Sequence, residues 1–591
     1  MSKEQRFKIL SAVIFIGLVS LGIYLRIAFI SHGLPKLDNF ENPDEIDFFG
    51  PSLNLVFNLS KLTGAGGFLS FINTDYFYGH PQGYTNLLFV LVTIFKEVWQ
   101  IGHKLLPSLL NDIHTWTRPD FFNLARVFTA LITALVPIVL FKFGRKYFDN
   151  TVAWISLILS VFCYYLIFYA HTISPYNVSA LFNLFFMYCF FRLYEKNSIK
   201  NIVLVGISFG IALAMNSGAL ILALPLLIIF GALIFRKEAT VTTTIRNIAL
   251  IGILTGFTFV ILSPATIIYF QKTIMALKGI SDTMRSGCVS DVRGFGPWQY
   301  FFGNGISIET LPLLNPSSFK EALGWPGSIL LAAATIWGLL YKNRKIRLLC
   351  LSFVLGVIFY SGTNSMALRR LLPFMPLMIP VIAALVVEIY KLAAKKSRVL
   401  RIFCCSSLLI ILIAPSGINT YIFLNASQQI DTREEAANWI VGNLSGNDLI
   451  FNATSYASPP LYKYGLNNVV EIGYPHCGST YAPLNKSLAP ILQTVFCQAD
   501  TLEYPRRYLV VNSSIASAII SQESEKYYPD FYKSWVNYFA SVSKWKLVKV
   551  FDPKVSSPKI GPLIKIYEIP LDLNCEEYLK SVATASQPSF K

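Results

Sequence analysis

The sequence predicts a polytopic α-helical membrane protein of about eleven spans, followed by a C-terminal α/β domain on the non-cytoplasmic side. Three observations predict it. The 591 residues are 54% hydrophobic and only 14% charged, with a mean hydropathy of +0.51, whereas a soluble domain carries roughly 25% charged residues. Apolar runs close to the ~20 residues that cross a bilayer recur through residue 424. Lys and Arg gather in alternate gaps between those runs, as they do in cytoplasmic loops.

The N-terminus carries Lys3, Arg6 and Lys8, and the apolar run 9–30 follows with no small-residue cleavage site. It is expected to be a retained first helix. Further spans are expected at 121–142, 152–170, 176–193, 202–216, 219–235, 247–270, 325–341, 346–361, 371–390 and 402–424. The apolar part of Gly83–Phe95 is only about a dozen residues, a length that favours an interfacial or re-entrant helix. Twelve or thirteen spans is the alternative count.

Charge placement tests this topology. With the N-terminus inside and 83–95 not crossing, the inner loops carry Lys142, Arg145 and Lys146; Arg192, Lys196 and Lys200; Arg344, Lys345 and Arg347; and Lys391, Lys395 and Lys396. The turns near His171 and Asn216 carry no Lys or Arg, and only the turn near Asn364 is basic, through Arg369 and Arg370. A crossing at 83–95 would invert every later loop against the positive-inside rule. The chain thus divides into a membrane module, 1–424, with outer loops 31–120 and 271–320, and an outer domain, 425–591.

In the outer domain, 448–453, 507–513, 545–551 and 562–569 read as strands. Residues 432–444 read as a helix with Thr432 as N-cap and Glu435 completing a capping box. Asn443, Asn452, Asn485 and Asn512 each begin an Asn-X-Ser/Thr sequon. Among the nine cysteines, no spacing points to zinc; Cys477 and Cys497 are a candidate disulfide if their face is oxidising. The net charge of +17 lacks a basic stripe with interleaved aromatics, which argues against nucleic acid.

The segment "FENPDEIDFFG", Phe40–Gly50, sets Glu41, Asp44, Glu45 and Asp47 just beyond the first span, on the predicted outer face. Pro43 stiffens the approach to Asp44. "NPDE" at 42–45 resembles the acidic mark of GT-C glycosyltransferases, polytopic enzymes that take a sugar from a polyprenyl phosphate. "YGHPQGYTNLL" (78–88) is similar to the His-Pro-Pro stretch of the protein O-mannosyltransferase and aminoarabinose transferase branch, with Gln82 in place of the second Pro. "ARVFTALITALVPIVLFKFGRKYF" (125–148), "YAHTISPYNVSALF" (169–182), "LRRLLPFMPLMIP" (368–380) and "DTREEAANWI" (431–440) resemble further motifs of that branch in order. Where many relatives carry an Asp in the second outer motif, this chain has Pro175-Tyr176-Asn177.

The resemblance implies a sugar transferred from a polyprenyl-phosphate donor to a lipid, glycan or protein acceptor, in a membrane expected to be the bacterial inner membrane. It implies inversion at the anomeric carbon. Asp44 matches the family's general base, and crowding among these carboxylates favours a proton acceptor near neutral pH. Glu45 is expected to orient a helix or bind a metal. His80 is a candidate for phosphate or metal, His171 for substrate, and Arg369 with Arg370 for the lipid phosphate. A divalent cation (Mg, Mn or Zn) held by Glu45 and His80 fits such a site without being demanded by any pattern. The bland readings are a solvated loop in which Asp44 caps a following helix, and arginines that anchor a span end at the interface. A transporter or flippase of lipid-linked sugars, or a non-catalytic envelope assembly factor, remain the rival functions; few acidic residues lie inside the spans, which disfavours an ion-coupled pump.

Overall fold

The computed structural model describes residues 2–31, 49–50, 52–53, 56, 81–105, 115–235, 237, 240–286, 297–303, 318–361, 368–395, 398–453, 458–466, 468–472, 504–512, 529–553 and 559–570. The helices begin where the sequence supplies caps. Helix α1 (Lys3–Ile27) opens on a capping box in which the Ser2 hydroxyl accepts from the Gln5 amide and the Gln5 side chain accepts from the Ser2 amide. Helix α2 spans Gly83–Leu105. It is followed by α3 (Arg118–Thr133), α4 (Leu135–Tyr147) and α5 (Asn150–Val161), the last capped by Asp149. Helix α6 (Tyr164–Ala170) continues α5 after a 49° bend.

Ser174 caps α7 (Pro175–Glu195), with Pro175 in the first turn, where its missing N–H costs nothing. Ser198 caps α8 (Ile199–Met215). A 3₁₀ turn over Ser217–Leu222 leads to α9 (Ala223–Phe235), and α10 (Val241–Leu262), α11 (Pro264–Ile268), α12 (Phe270–Ser286) and α13 (Pro297–Phe302) follow. The bundle closes with α14 (Phe319–Leu340), α15 (Arg344–Ser361), α16 (Met375–Ala394) and α17 (Arg398–Ser427).

Each of the eleven predicted spans falls on helix. Among the described residues, six helices are long and apolar enough to cross a membrane, or seven if the bent α5–α6 pair counts as one span. The remaining predicted spans fall on shorter or more polar helices, such as α8 and the stretch Ser217–Ala232. Helix α2, at 23 residues, is longer than the apolar run suggests. Lys96 and Glu97 interrupt that run, yet Val90, Ile94, Val98, Ile101 and Leu105 continue a helical stripe along an exposed face.

Several polar side chains inside the bundle bind backbone carbonyls. Helix α14 kinks at Gly324 (φ +73), next to Pro326, and the Asn419 amide donates to the carbonyls of Glu321 and Ala322 at 3.3 and 3.5 Å. Asn183 donates to the Pro373 carbonyl at 3.1 Å. Buried Arg26 donates to the carbonyls of Gly22 (2.9 Å) and Ser160 (3.0 Å), and buried Arg126 donates to that of Ile30 (3.0 Å). The Arg26 contact caps the carboxyl end of α5 at the bend, where helical carbonyls lack intrahelical partners.

Beyond α17, α18 (Thr432–Asn443) packs on a five-stranded sheet of order β2-β1-β3-β5-β4. The strands are β1 (Leu449–Ala453), β2 (Val469–Ile472), β3 (Arg507–Asn512), β4 (Lys546–Phe551) and β5 (Ile564–Glu568). β1 is parallel to both β2 and β3, and β5 is antiparallel to both β3 and β4. Helix α19 (Pro529–Val542) lies between β3 and β4 in the chain. Four of these strands match the sequence reading; β2, only four residues long, was not anticipated. The helix cap is corrected: Asp431, not Thr432, accepts from the Arg433 amide at 2.8 Å. The Thr432 hydroxyl is instead committed to the Pro562 carbonyl at 2.7 Å.

Candidate functional site

The two ends of the bundle differ in chemistry. At one end, Lys146 lies over the rings of Tyr147 and Tyr188 (4.9 and 4.7 Å), and Lys345 lies over Tyr147 (4.8 Å) while pairing with Glu195 at 2.5 Å. These are the lysines of the basic loops. At the other end, from which the sheet emerges, tyrosine, histidine and arginine converge.

The chain from Tyr164 to Ala180 is buried throughout. It includes His171, Ser174, Asn177 and Ser179, each fully buried. His171 holds Leu25 of α1 through a 3.1 Å contact between Nε2 and the backbone carbonyl, and its ring meets Phe423 of α17 edge-on at 4.9 Å. His171 therefore ties three elements at the mouth of the bundle.

Arg369 and Arg370 sit half-buried on a 3₁₀ turn, Leu368–Leu371, just before α16. The Tyr165 hydroxyl donates to the Leu368 carbonyl, which fixes the turn, and Arg369 lies within electrostatic reach of that phenol. Tyr300 of α13 donates to the Tyr360 carbonyl at 3.3 Å. Burial pushes the Tyr300 phenol up to about 12, against the pull of the neighbouring Arg370 guanidinium. Arg370 also reaches the field of Tyr360. At Gly218 the Tyr360 hydroxyl approaches so closely that no Cβ fits.

A small apolar crevice of about 40 Å³ is lined by Phe162, Cys163, Leu323, Gly327, Met375 and Ile379 among others. Cys163 is two residues from Tyr165, and Met375 begins the helix that the arginine turn leads into. A cationic, phenol-rich cluster suits an anionic head group.

The structure brings Arg369, Arg370 and His171 to the same end of the bundle. Asp44, Glu45 and His80 lie outside the described residues, as do Cys477 and Cys497. The phenols of Tyr165, Tyr300 and Tyr360 were not singled out in the sequence; they are brought together by contacts distant in the chain, and only the Tyr164-Tyr165 pair at a span end hinted at them. Among the described residues, no group of three or more His, Cys, Asp or Glu side chains is placed to hold a metal ion. Asn177 offers a neutral amide.

These features define a polytopic helical membrane protein with a C-terminal α/β unit and a cationic, phenol-rich cluster at one end of its bundle. Residues 122–268, from α3 through α11, match the family model of dolichyl-phosphate-mannose-protein mannosyltransferase. The match bears out the resemblance to GT-C glycosyltransferases, and it contains the motifs at 125–148 and 169–182. Solved structures with similar folds include ArnT from Cupriavidus metallidurans bound to undecaprenyl phosphate, at 11% identity and a TM-score of 0.46, covering 95% of this chain and 99% of that one. The archaeal oligosaccharyltransferase AglB from Archaeoglobus fulgidus, with an inhibitory peptide and a dolichol phosphate, gives 11% identity and 0.45, covering 97% and 75%. The Archaeoglobus fulgidus oligosaccharyltransferase tethered to an acceptor peptide gives 12% and 0.48, covering 91% and 72%. No curated protein gives a significant match.

Proposed function

We propose that this chain is a membrane glycosyltransferase that moves one sugar from a polyprenyl-phosphate carrier to an acceptor hydroxyl, with inversion, on the non-cytoplasmic face. The observation that carries the reading is the Arg369–Arg370 turn set among buried tyrosines, in a chain with a mannosyltransferase-family segment. The prenyl chain would lie in the bilayer against the apolar helices and the phosphate against the arginines. The acceptor oxygen attacks the anomeric carbon as its proton passes to Asp44. The bond from that carbon to phosphate oxygen breaks, and the electron pair leaves on the polyprenyl phosphate, whose charge Arg369 and Arg370 stabilise. The buried cations inside the bundle are bound to backbone carbonyls, which favours structural roles over the relay of an ion-coupled transporter.

Asp44→Asn is expected to lower kcat by about 10²–10⁴-fold with donor KM little changed. Arg369→Gln is expected to weaken donor binding. Both are measured by sugar transfer from undecaprenyl-phosphate sugars in proteoliposomes; full activity of either variant would defeat the reading.

A further inference from the structure

Three helices meet at the lysine-rich end of the bundle. Tyr147 closes α4, Tyr188 lies two turns before the end of α7, and Lys345 stands in the first turn of α15. The buried Tyr147 donates its hydroxyl to the Tyr188 carbonyl at 2.8 Å, which ties α4 to α7. Two ammonium groups share the Tyr147 ring, Lys146 at 4.9 Å and Lys345 at 4.8 Å from its centroid. Lys146 also stands 4.7 Å from the Tyr188 ring. A third cation, Arg192, reaches the field of Tyr147.

Little in the cluster offsets this crowding of like charge. Glu195 pairs with Lys345, whose side chain is only 19% exposed. Among the described residues it is the one carboxylate that pairs with Lys146, Arg192 or Lys345. The carbonyls that end α7 are already engaged, because the Asn201 amide donates to those of Arg192 and Lys196 at 3.1 and 2.7 Å. A ring face attracts a cation, by about 0.5–2 kcal/mol, but leaves its charge in place. Three cations against one carboxylate, at the edge of an apolar bundle, leave an anion to be recruited from outside the chain.

The anion that fits carries an apolar tail. On α7, Phe185, Tyr188 and Arg192 follow one another at i, i+3 and i+7, so they form one row along the helix. Phe185 is 40% exposed, and Tyr188 and Arg192 are half-buried. The row runs from apolar surface that the bundle leaves uncovered to a cation, which is the order of acyl chain and head group in a phospholipid.

We propose that Lys146, Arg192 and Lys345, over the Tyr147 and Tyr188 rings, bind the phosphate of an anionic diacyl phospholipid, with an acyl chain along Phe185. In the orientation expected from the loops this lipid belongs to the cytoplasmic leaflet. The site lies at the opposite end of the bundle from Arg369 and Arg370, and it does not rest on the transferase reading. The test uses the full chain in detergent, with phosphatidylglycerol, cardiolipin and phosphatidylcholine as probes and native mass spectrometry as the readout. At least one of the two anionic lipids is expected to bind about tenfold or more tighter than phosphatidylcholine. Lys146→Gln combined with Arg192→Gln is expected to abolish that preference, and Lys146→Arg to keep it. Lys200→Gln, in the first turn of α8 at the same end, and Arg369→Gln are expected to leave it unchanged. Inorganic phosphate is expected not to displace the lipid, since it lacks the chain. The lipid-free melting temperature of the double variant is expected to match that of the wild type; if it falls, Lys146→Gln alone, at an exposed side chain, reads the loss of binding. Equal affinity for the three lipids, a preference that survives these variants, an equal loss in Lys200→Gln, or displacement by inorganic phosphate would overturn the proposal.

Discussion

Tyr300 keeps its proton because its phenol is buried, and Arg370 only partly offsets that cost. Its folded pKa is raised, from 10.0 to about 12, so the folded state holds the proton more tightly than the unfolded chain does. The resulting contribution to stability is intact below pH 10 and is lost as pH climbs from there through about 12. The loss is up to roughly 3 kcal/mol. Melting curves across pH 9–12 are expected to fall less steeply for Tyr300→Phe than for the wild type; identical slopes would show that the phenol is not held neutral by its surroundings. The same residue-level economy explains α18. Asp431 both caps the helix and grips the Arg433 guanidinium, which frees Thr432 to bind the strap 559–563 ahead of β5.

At the scale of elements, α8 and α10 pack closely against each other. A Cβ on Gly206 would meet Leu254 Cβ at 2.7 Å, and one on Gly210 would meet Thr258 Cβ at 2.6 Å. Two glycines four residues apart put one flat face against the neighbour, and Thr255 of α10 bonds the Gly206 carbonyl at 3.1 Å across the seam. Gly210→Val is expected to destabilise the detergent-solubilised protein by about 1–3 kcal/mol, read as a lowered melting temperature; an unchanged Tm would mean the helices part without cost. The helices themselves were legible, because a bilayer demands apolar length and caps announce where it starts. The break between α5 and α6 was not, since neither Gly nor Pro stands at Phe162-Cys163 to mark it. β2 escaped because four residues carry too little periodicity. In the site, Arg369 and His171 could be read as motif letters. The phenols around the arginines could not, because Tyr165, Tyr300 and Tyr360 meet only through long-range packing.

At the scale of the whole molecule, lysines gather at one end of the bundle and arginine with tyrosine at the other. The sheet meets the second end through the strap 559–563, whose Ile560 joins the apolar cluster of Phe423 and Ala426. The strap that carries Ile560 has a practical consequence. Cut before Thr432 and expressed alone, the α/β unit would present an orphaned greasy plug where α17 had covered it. Such a fragment is expected to self-associate on a sizing column, and Ile560→Ser to restore a monodisperse peak. The seam between membrane and soluble halves is thus a shared keel, and neither half can be lifted off dry.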